Sequence, residues 1–355
     1  MRILQLIDSL DAGGAERMAV NYANALSSRI PFSALIATRK EGVLKILISD
    51  KVTFEYLSKR SGYDLSALFK LRTFCSKNRI THIHAHSSSF FWAVLIKLTI
   101  PRIKIIWHDH MGSRENASQK FNKTLIRFSR FFSVVITVNE SLNAWAEQNL
   151  KVKETKYLPN FTTFSTEKQT TFLKGQDSQR IIILANLKKP KNHLFFLKAF
   201  HQLKLDEKNW SLHIVGKDFN DEYSNDLKKY INANKVTNVY FYGQVLDVQF
   251  ALKQADIGVL ASTSEGFPMT ILEYAVAELI LFSTRVGQCS EIIKERKFLF
   301  NPLDLNDCMS KLYLLTNEFE NKDSELKAHI KKINNHISEK YSETAIMKEY
   351  LKLLK

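Results

Sequence analysis

Short runs of β-branched and aliphatic residues alternate with longer amphipathic stretches along the chain, and the series runs through twice. Parallel strands need a crossover between them, and the crossover is usually helical, so this alternation predicts parallel sheets covered by helices. The first series of strands reads Ile3–Ile7, Phe32–Ala37, Val52–Tyr56, Thr81–His84, Lys104–Trp107 and Val134–Val138. Helical stretches fall between them at Ala15–Leu26, Leu65–Lys77, Phe90–Leu98, Phe121–Phe131 and Leu142–Gln148. After Pro159-Asn160 comes an aperiodic stretch from Thr162 to Gln179, rich in Thr, Ser, Lys and Gln, which reads as a linker. The second series starts at Arg180, with strands Ile181–Leu184, Ser211–Val215, Val239–Tyr242, Ile257–Leu260 and Ile280–Ser283. Its helices include His193–Leu203 and Asp221–Ile231, and a polar segment then precedes a final helix over Glu343–Leu354. No repeat of fixed period is present.

The spacing predicts α/β architecture, with two Rossmann-like doubly wound domains at residues 1–165 and 175–338. The C-terminal helix, residues 340–355, is expected to pack back on the first domain. Doubly wound sheets bind ligands outside the carboxyl ends of their strands, so the expected site is a central cleft between the two. A chain of 355 residues agrees with two domains at roughly 100–200 residues each.

Charge narrows the partners. Residues 1–165 carry 24 Lys and Arg against 12 Asp and Glu, whereas the remainder carries 27 against 24. Residues 51–135 alone hold 15 basic and 4 acidic side chains. A patch of this kind suits anionic lipid, a phosphorylated substrate or nucleic acid. The longest apolar run, Phe90–Ile96, is far below the roughly 18–20 residues that span a bilayer. The first residues, Met1–Asp8, are too short and too soon interrupted for a signal peptide. Cys75, Cys289 and Cys308 lie far apart with no CxxC, which predicts a reducing compartment and neither a disulfide framework nor a zinc site.

Two segments carry chemistry. Asp11-Ala-Gly-Gly-Ala-Glu-Arg17 follows the first strand and opens the first helix. Adjacent glycines let the backbone approach a ligand, and N–H groups at a helix start favour an anion. The spacing is not the dinucleotide GxGxxG, and a plain turn is the other reading. The second segment, Ala261-Ser-Thr-Ser-Glu265-Gly-Phe-Pro-Met-Thr-Ile-Leu-Glu273, follows an apolar strand and leads into a helix starting near Pro268. Glu265 then sits in the loop and Glu273 within the helix. Carboxylates accept bonds from neighbouring hydroxyls, so sugars and riboses are natural partners.

These residues together resemble the retaining, GT-B-fold glycosyltransferases of family 4, the glycosyl transferases group 1. The resemblance rests on GGAER after the first strand and on SEGFPMTILE, whose Glu265 and Glu273 match the family's E-x7-E. Gly287-Gln-Cys-Ser-Glu291 resembles its Gly-Gly-x-x-Glu segment, and Leu184–His193 resembles its first strand and phosphate loop. His84-Ala-His86 and Trp107-His108-Asp109-His110 match family positions at two strand ends. The resemblance implies that Glu265 touches the transferred sugar, Glu273 the ribose, and Lys191 the departing diphosphate, with His108 beside the sugar. Gly13, Gly14, Lys188, Gly266, Phe267 and Pro268 would complete the donor side. Glu16, Arg17, His84, His86 and His110 would serve the acceptor side. It implies a hexose-type sugar leaving a nucleotide diphosphate, UDP foremost, with no cofactor and no metal. The acceptor would be a lipid-linked glycan of surface polysaccharide assembly, met at the cytoplasmic face of an inner membrane, with no nucleic acid partner.

Three departures stand out. The family's Gly-Arg is Ala185-Asn186, for which Lys188 is the candidate substitute; its Gly-x-Pro is Glu278-Leu279-Ile280; and the second glycine of its Gly-Gly pair is Gln288. Other readings stay open at this stage. His84 and His86 suit a metal pair, but no third ligand follows at sensible spacing. His108 with Asp109 also reads as a satisfied surface pair, and Lys188, Lys189 and Lys191 as a solvated loop. Lys120–Phe132, basic and aromatic, reads either as a helix with a core-facing stripe or as one resting on anionic lipid. A nucleotide-sugar 2-epimerase of the same fold and a basic nucleic-acid-binding protein are the competing functions.

Overall fold

The computed structural model describes every residue except 112, 113, 115–117, 162–168, 323 and 355, and at 329 the backbone only. The chain divides into two compact units, Met1–Thr163 with Glu343–Lys355, and Phe164–Ser342. The first 7 residues of the expected linker lie outside the described residues.

The first unit runs β1 (Arg2–Ser9), α1 (Gly14–Ser27), β2 (Phe32–Lys40), β3 (Thr53–Tyr56), α2 (Leu65–Lys77), β4 (His82–His86), α3 (Phe90–Thr99), β5 (Lys104–Asp109), α4 (Gln119–Phe128), β6 (Val134–Thr137), α5 (Glu140–Asn149) and β7 (Thr155–Tyr157). Its sheet is parallel in the order β3-β2-β1-β4-β5-β6-β7, so the winding reverses between β1 and β4. Strand periodicity sorts the side chains of β4, whose sequence is His-Ile-His-Ala-His. Ile83 and Ala85 enter the main core with Leu4, Leu6, Ile105, Trp107 and Val135, while His82, His84 and His86 alternate to the other face. Helices start where the sequence supplies a cap: the side chains of Asp64, Ser118 and Asn139 accept from the backbone N–H of Ala67, Phe121 and Leu142.

The helix at Lys120–Phe132 settles toward its core reading. Phe121, Phe128 and Phe131 pack against the core cluster and Phe132 is buried in it, with Phe121 edge-on to Phe90 and Phe128 edge-on to Phe91. Lys120, Lys123, Arg127 and Arg130 are exposed. The aromatic rings therefore do not offer themselves to lipid. Spacing of three and four residues gathers them on one side of the helix, and that side is the inner one.

The second unit continues with β8 (Arg180–Leu184), α6 (His193–Gln202), β9 (Ser211–Val215), α7 (Glu222–Ala233), β10 (Val239–Gly243), α8 (Val248–Leu252), β11 (Ile257–Leu260), α9 (Met269–Val276), β12 (Ile280–Thr284), α10 (Cys289–Ile293), β13 (Leu299–Phe300), α11 (Leu305–Glu320) and α12 (Ser324–Lys340). The final helix, α13 (Glu343–Leu353), belongs to the first unit, where Ile346, Met347 and Tyr350 are buried. The second sheet is parallel in the order β10-β9-β8-β11-β12-β13, reversing between β8 and β11.

Three sequence readings change here. The polar segment before the last helix is itself the 17-residue α12; Leu326, Ile333 and Ile337 form its buried stripe, and its remaining length is polar because it faces water. The described end of the supposed linker is tied down, since the N–H groups of Thr170 and Thr171 donate to Asp247 Oδ2 at 2.6 and 2.7 Å and Leu173 N–H donates to Gln254. These partners lie about 80 residues away, where no local pattern can reveal them. The strands β7 and β13 are 3 and 2 residues long, too short to show a period.

Two of the sequence departures also acquire a backbone reason. Glu278, standing where the family's glycine would be, has φ 63°, the left-handed conformation that glycine adopts without steric cost. Gln288 has φ −84°, where no glycine is required.

Tyr274 pins α9 across the sheet. Leu184 N–H donates to its hydroxyl at 2.8 Å, and the hydroxyl donates to Val259 O at 3.0 Å, so one buried ring links β8 and β11. The ring fits because Gly258 has no side chain: a Cβ there would lie 2.5 Å from two Tyr274 ring atoms. Gly258→Ala is expected to lower stability by about 1–3 kcal/mol through overpacking. A urea midpoint equal to wild type would show that the ring moves aside without cost.

Candidate active site

In each unit the sequence-selected residues collect where the strand order reverses. There, consecutive crossovers leave on opposite faces of the sheet and the loops part, which is where doubly wound sheets hold ligands.

In the second unit the two loops at the reversal are those following β8 and β11. Lys191, after β8, donates from Nζ to Glu265 Oε1 at 2.6 Å, and Ser262 Oγ donates to the same oxygen at 2.6 Å. Both bonds fall on Oε1, which leaves Oε2 without a hydrogen bond among the described residues. Thr263 N–H donates to Pro190 O at 2.8 Å and locks the loops together. From the third side, Gly287 presses on the Glu265 loop with φ 50°; a Cβ on it would lie 2.3 Å from Glu265 O. Glu273 is buried on α9 one residue before Tyr274, and Gly266 is half-buried between the two glutamates. Phe267 turns inward, its ring 5.4 Å from that of Tyr341, and Pro268 occupies the N-cap position of α9.

The phosphate-loop departure gains neighbours as well. Asn186 Oδ1 accepts from Lys217 N–H at 2.8 Å. Lys188 Nζ lies 4.8 Å and Lys217 Nζ 5.2 Å from the centre of the Phe219 ring, so two ammonium groups meet one aromatic ring beside the missing arginine. Lys217 and Ser262 were not selected from the sequence. A lone lysine and a serine within a serine-rich run carry no signal by themselves.

In the first unit α1 opens at Gly13 and Gly14, both exposed, with no side-chain cap, and Glu16 folds back across Gly13. Arg17 follows in the same turn, half-buried. The histidines are the larger surprise. His84, His86 and His108 are fully buried, and His84 has both ring nitrogens engaged, one by the Tyr350 hydroxyl at 3.0 Å and one by His108 Nδ1 at 3.2 Å. His84 is therefore an interior residue of this unit, enclosed beneath Tyr22 and Tyr350. His86 Nδ1 pairs with His110 Nε2 at 2.9 Å, and its Nε2 with Gln5 Oε1 at 2.8 Å.

This cluster corrects two expectations. A third histidine does accompany His84 and His86: His108, from the adjoining strand, offers a ring nitrogen within 4.8 Å of both. Sequence spacing misses it because β4 and β5 are brought together only by sheet pairing. His84 Nε2 faces His108 Nδ1 at 3.2 Å with the two rings within 8° of parallel, and His86 Nδ1 faces His110 Nε2 at 2.9 Å, so the rings read as a hydrogen-bonded set. His108 and Asp109 are likewise no surface pair. They face opposite sides of β5, and buried Asp109 pairs with Arg114, whose guanidinium stacks near Trp107, Phe121 and Trp145. Burial raises the Asp109 carboxyl above its usual range although Arg114 opposes it.

Gln5, Tyr22 and Tyr350 went unselected. A polar residue inside Ile-Leu-Gln-Leu-Ile was the available signal for Gln5, since a buried amide demands partners.

With this geometry in hand, comparison with known proteins defines the class. Residues 178–317 match the family model described as glycosyl transferases group 1, and residues 12–162 match glycosyltransferase family 4. Among curated relatives, an O-antigen biosynthesis glycosyltransferase, WbnH of Escherichia coli, is 24% identical over 89% of this chain and 90% of its own. A Campylobacter jejuni α-1,4-N-acetyl-D-galactosaminyltransferase, named for an undecaprenol-diphosphate-linked glycan, is 25% identical over 83% of this chain and 82% of its own. Of solved structures, Anabaena HepE in complex with UDP-glucose superposes with a TM-score of 0.81 at 18% identity, covering 100% of this chain and 99% of that one. The protein is a glycosyltransferase of the GT-B fold. It belongs to family 4, the glycosyl transferases group 1.

Burial holds His84, His86 and His108 well below the usual histidine range and takes His110 down to about 3. In the unfolded chain these rings protonate near the ordinary histidine value of about 6.5, so below that pH the unfolded state binds more protons and acid favours it. Each ring contributes up to ~1.4 kcal/mol per pH unit in that window. Calorimetry should give a melting temperature that is level above pH 7 and falls steeply between pH 6.5 and 5. A level profile down to pH 5 would mean that the rings titrate freely.

Proposed function

We propose that the protein is a retaining glycosyltransferase that moves a sugar from a UDP-linked donor to a lipid-linked glycan in surface polysaccharide assembly. The observation that carries the reading is the Lys191–Glu265–Ser262 cluster at the reversal of the second sheet. It pairs a cation suited to a diphosphate with a carboxylate that keeps one oxygen for a hydroxyl. Glu273, on the adjoining helix, is assigned to the ribose. The donor class is supported by the UDP-glucose named for HepE, and the acceptor class by the undecaprenol diphosphate named for the Campylobacter relative.

In this mechanism the acceptor hydroxyl attacks from the face that the nucleotide diphosphate leaves, which retains the anomeric configuration, and the leaving phosphate takes the acceptor's proton. Negative charge grows on that phosphate as the glycosidic bond breaks. Lys191, with Lys188 in the same loop, stabilises the growing charge more than the ground state, which is the condition for raising turnover. The reading calls for no metal. Glu265 then accepts from sugar hydroxyls, and His108 is assigned to the transferred sugar as well. The exposed Lys120, Lys123, Arg127 and Arg130 on α4 and the turn after it are assigned to the anionic surface that carries the acceptor.

Lys191→Ala should lower kcat more than it raises KM for the donor, and Glu273→Gln should weaken donor binding by roughly 1.5–3 kcal/mol, the worth of a hydrogen bond to a charged group. Nucleotide diphosphate release, measured across UDP- and GDP-sugars with the product anomer read by NMR, is the decisive assay. Release only from GDP-sugars, or an inverted product, would refute the reading.

Co-sedimentation with vesicles should rise with anionic lipid and fall with salt, at about 1 kcal/mol per basic side chain near the surface. Replacing the four α4-region cations with Gln should abolish it while sparing transfer to a soluble acceptor. Equal binding to neutral vesicles would remove these cations from the interface.

A further inference from the structure

The histidines of the first unit form two hydrogen-bonded chains, and each chain starts from a side chain to which no role has been assigned. One runs from the Tyr350 hydroxyl to His84 Nδ1 at 3.0 Å, and from His84 Nε2 to His108 Nδ1 at 3.2 Å. The other runs from Gln5 Oε1 to His86 Nε2 at 2.8 Å, and from His86 Nδ1 to His110 Nε2 at 2.9 Å. Burial keeps all four rings neutral. A neutral imidazole has one donor nitrogen and one acceptor nitrogen, so the direction of any one bond fixes the whole chain.

Gln5 Oε1 is a carbonyl oxygen and only accepts. His86 therefore holds its proton on Nε2 and accepts at Nδ1, so His110 donates from Nε2 and keeps a lone pair on Nδ1. In the other chain the phenol is a stronger acid than a neutral imidazole N–H, so Tyr350 donates to His84 Nδ1. His84 in turn donates from Nε2 to His108 Nδ1, and His108 must hold its proton on Nε2. The chain ends are His108 Nε2 and His110 Nδ1, the two nitrogens of these four rings with no hydrogen-bond partner among the described residues. Their rings are neighbours, with centroids 3.9 Å apart.

We propose that Tyr350 and Gln5 are positioning residues that set opposite polarities on adjacent rings, a donor at His108 Nε2 and an acceptor at His110 Nδ1. Such a pair suits a hydroxyl group, which accepts one hydrogen bond and donates another, and so fits a polyhydroxylated ligand. The link to turnover rests on the reading above that His108 lies beside the sugar. The polarity itself does not. It also gives the C-terminal helix a part in the site through Tyr350, although that helix contributes no residue expected to touch substrate.

The test is NMR of the full chain labelled with 15N-histidine, in which correlations from the ring carbons' protons report which nitrogen is protonated; single His→Gln variants assign the signals. Wild type should show His84, His86, His108 and His110 each protonated at Nε2. Either His108 or His110 protonated at Nδ1 would overturn the proposal without any variant. Tyr350→Phe should turn His84 and His108 into tautomer mixtures, leave His86 and His110 unchanged, and lower kcat/KM by about five- to tenfold, the scale of one neutral hydrogen bond. Unchanged His84 and His108 signals in a folded Tyr350→Phe protein would overturn the role of Tyr350. Mixed tautomers with wild-type kcat/KM would uphold the polarity and overturn instead the placement of His108 beside the sugar.

Discussion

The crossovers of a parallel sheet lie on one face until the winding reverses, and there two neighbouring strands send their loops in opposite directions. The rest of this structure depends on that constraint. Between β8 and β11 it lets Lys191 and Glu265, 74 residues apart, meet at 2.6 Å. Between β1 and β4 it brings the Gly13-Gly14 turn near the end of a strand whose histidines occupy one face. Neither arrangement is local. Each requires the sheet order to be correct before any of the chemistry exists.

Polar groups near such a reversal cost free energy when buried unless they find partners. The two units meet that cost differently. The second uses one phenol, Tyr274, whose hydroxyl both accepts from Leu184 N–H and donates to Val259 O, fixing α9 and hence Glu273 one residue away. The first uses a set of rings that pair with one another from Tyr350 and Gln5 inward, leaving His108 Nε2 and His110 Nδ1 at the far ends. In a set of this kind neutrality is itself structural, because a proton added to His84, His86 or His108 would convert an acceptor into a second donor facing its neighbour. Burial ensures that neutrality.

The departures from the family pattern are also intelligible as local physics. Gln288 sits at an ordinary negative φ and asks nothing of the backbone, whereas Glu278 holds a left-handed conformation that a glycine would occupy more easily. At Asn186 the guanidinium fork of the family's arginine is absent, and its side-chain oxygen instead holds the backbone at Lys217. The ammonium groups of Lys188 and Lys217 then stand over one phenyl ring, supplying charge without the planar geometry of arginine.

The sequence by itself determined the fold class, most strand positions and the motif residues of the second unit. Those signals are local: a period of two or of 3.6, a turn residue, or a glutamate spacing within one loop and helix. The long polar helix α12 escaped it, because a narrow apolar stripe of Leu326, Ile333 and Ile337 is easily lost among charged neighbours. Only the tertiary structure decided which way side chains face and what they meet. It turned Phe121 and Phe128 inward, put His108 and Asp109 on opposite sides of one strand, and closed Tyr350 onto His84 across 266 residues. A sequence shows that a residue is polar, aromatic or basic. Its partner, and therefore its protonation and its role, is set by strand pairing and helix packing between segments far apart in the chain.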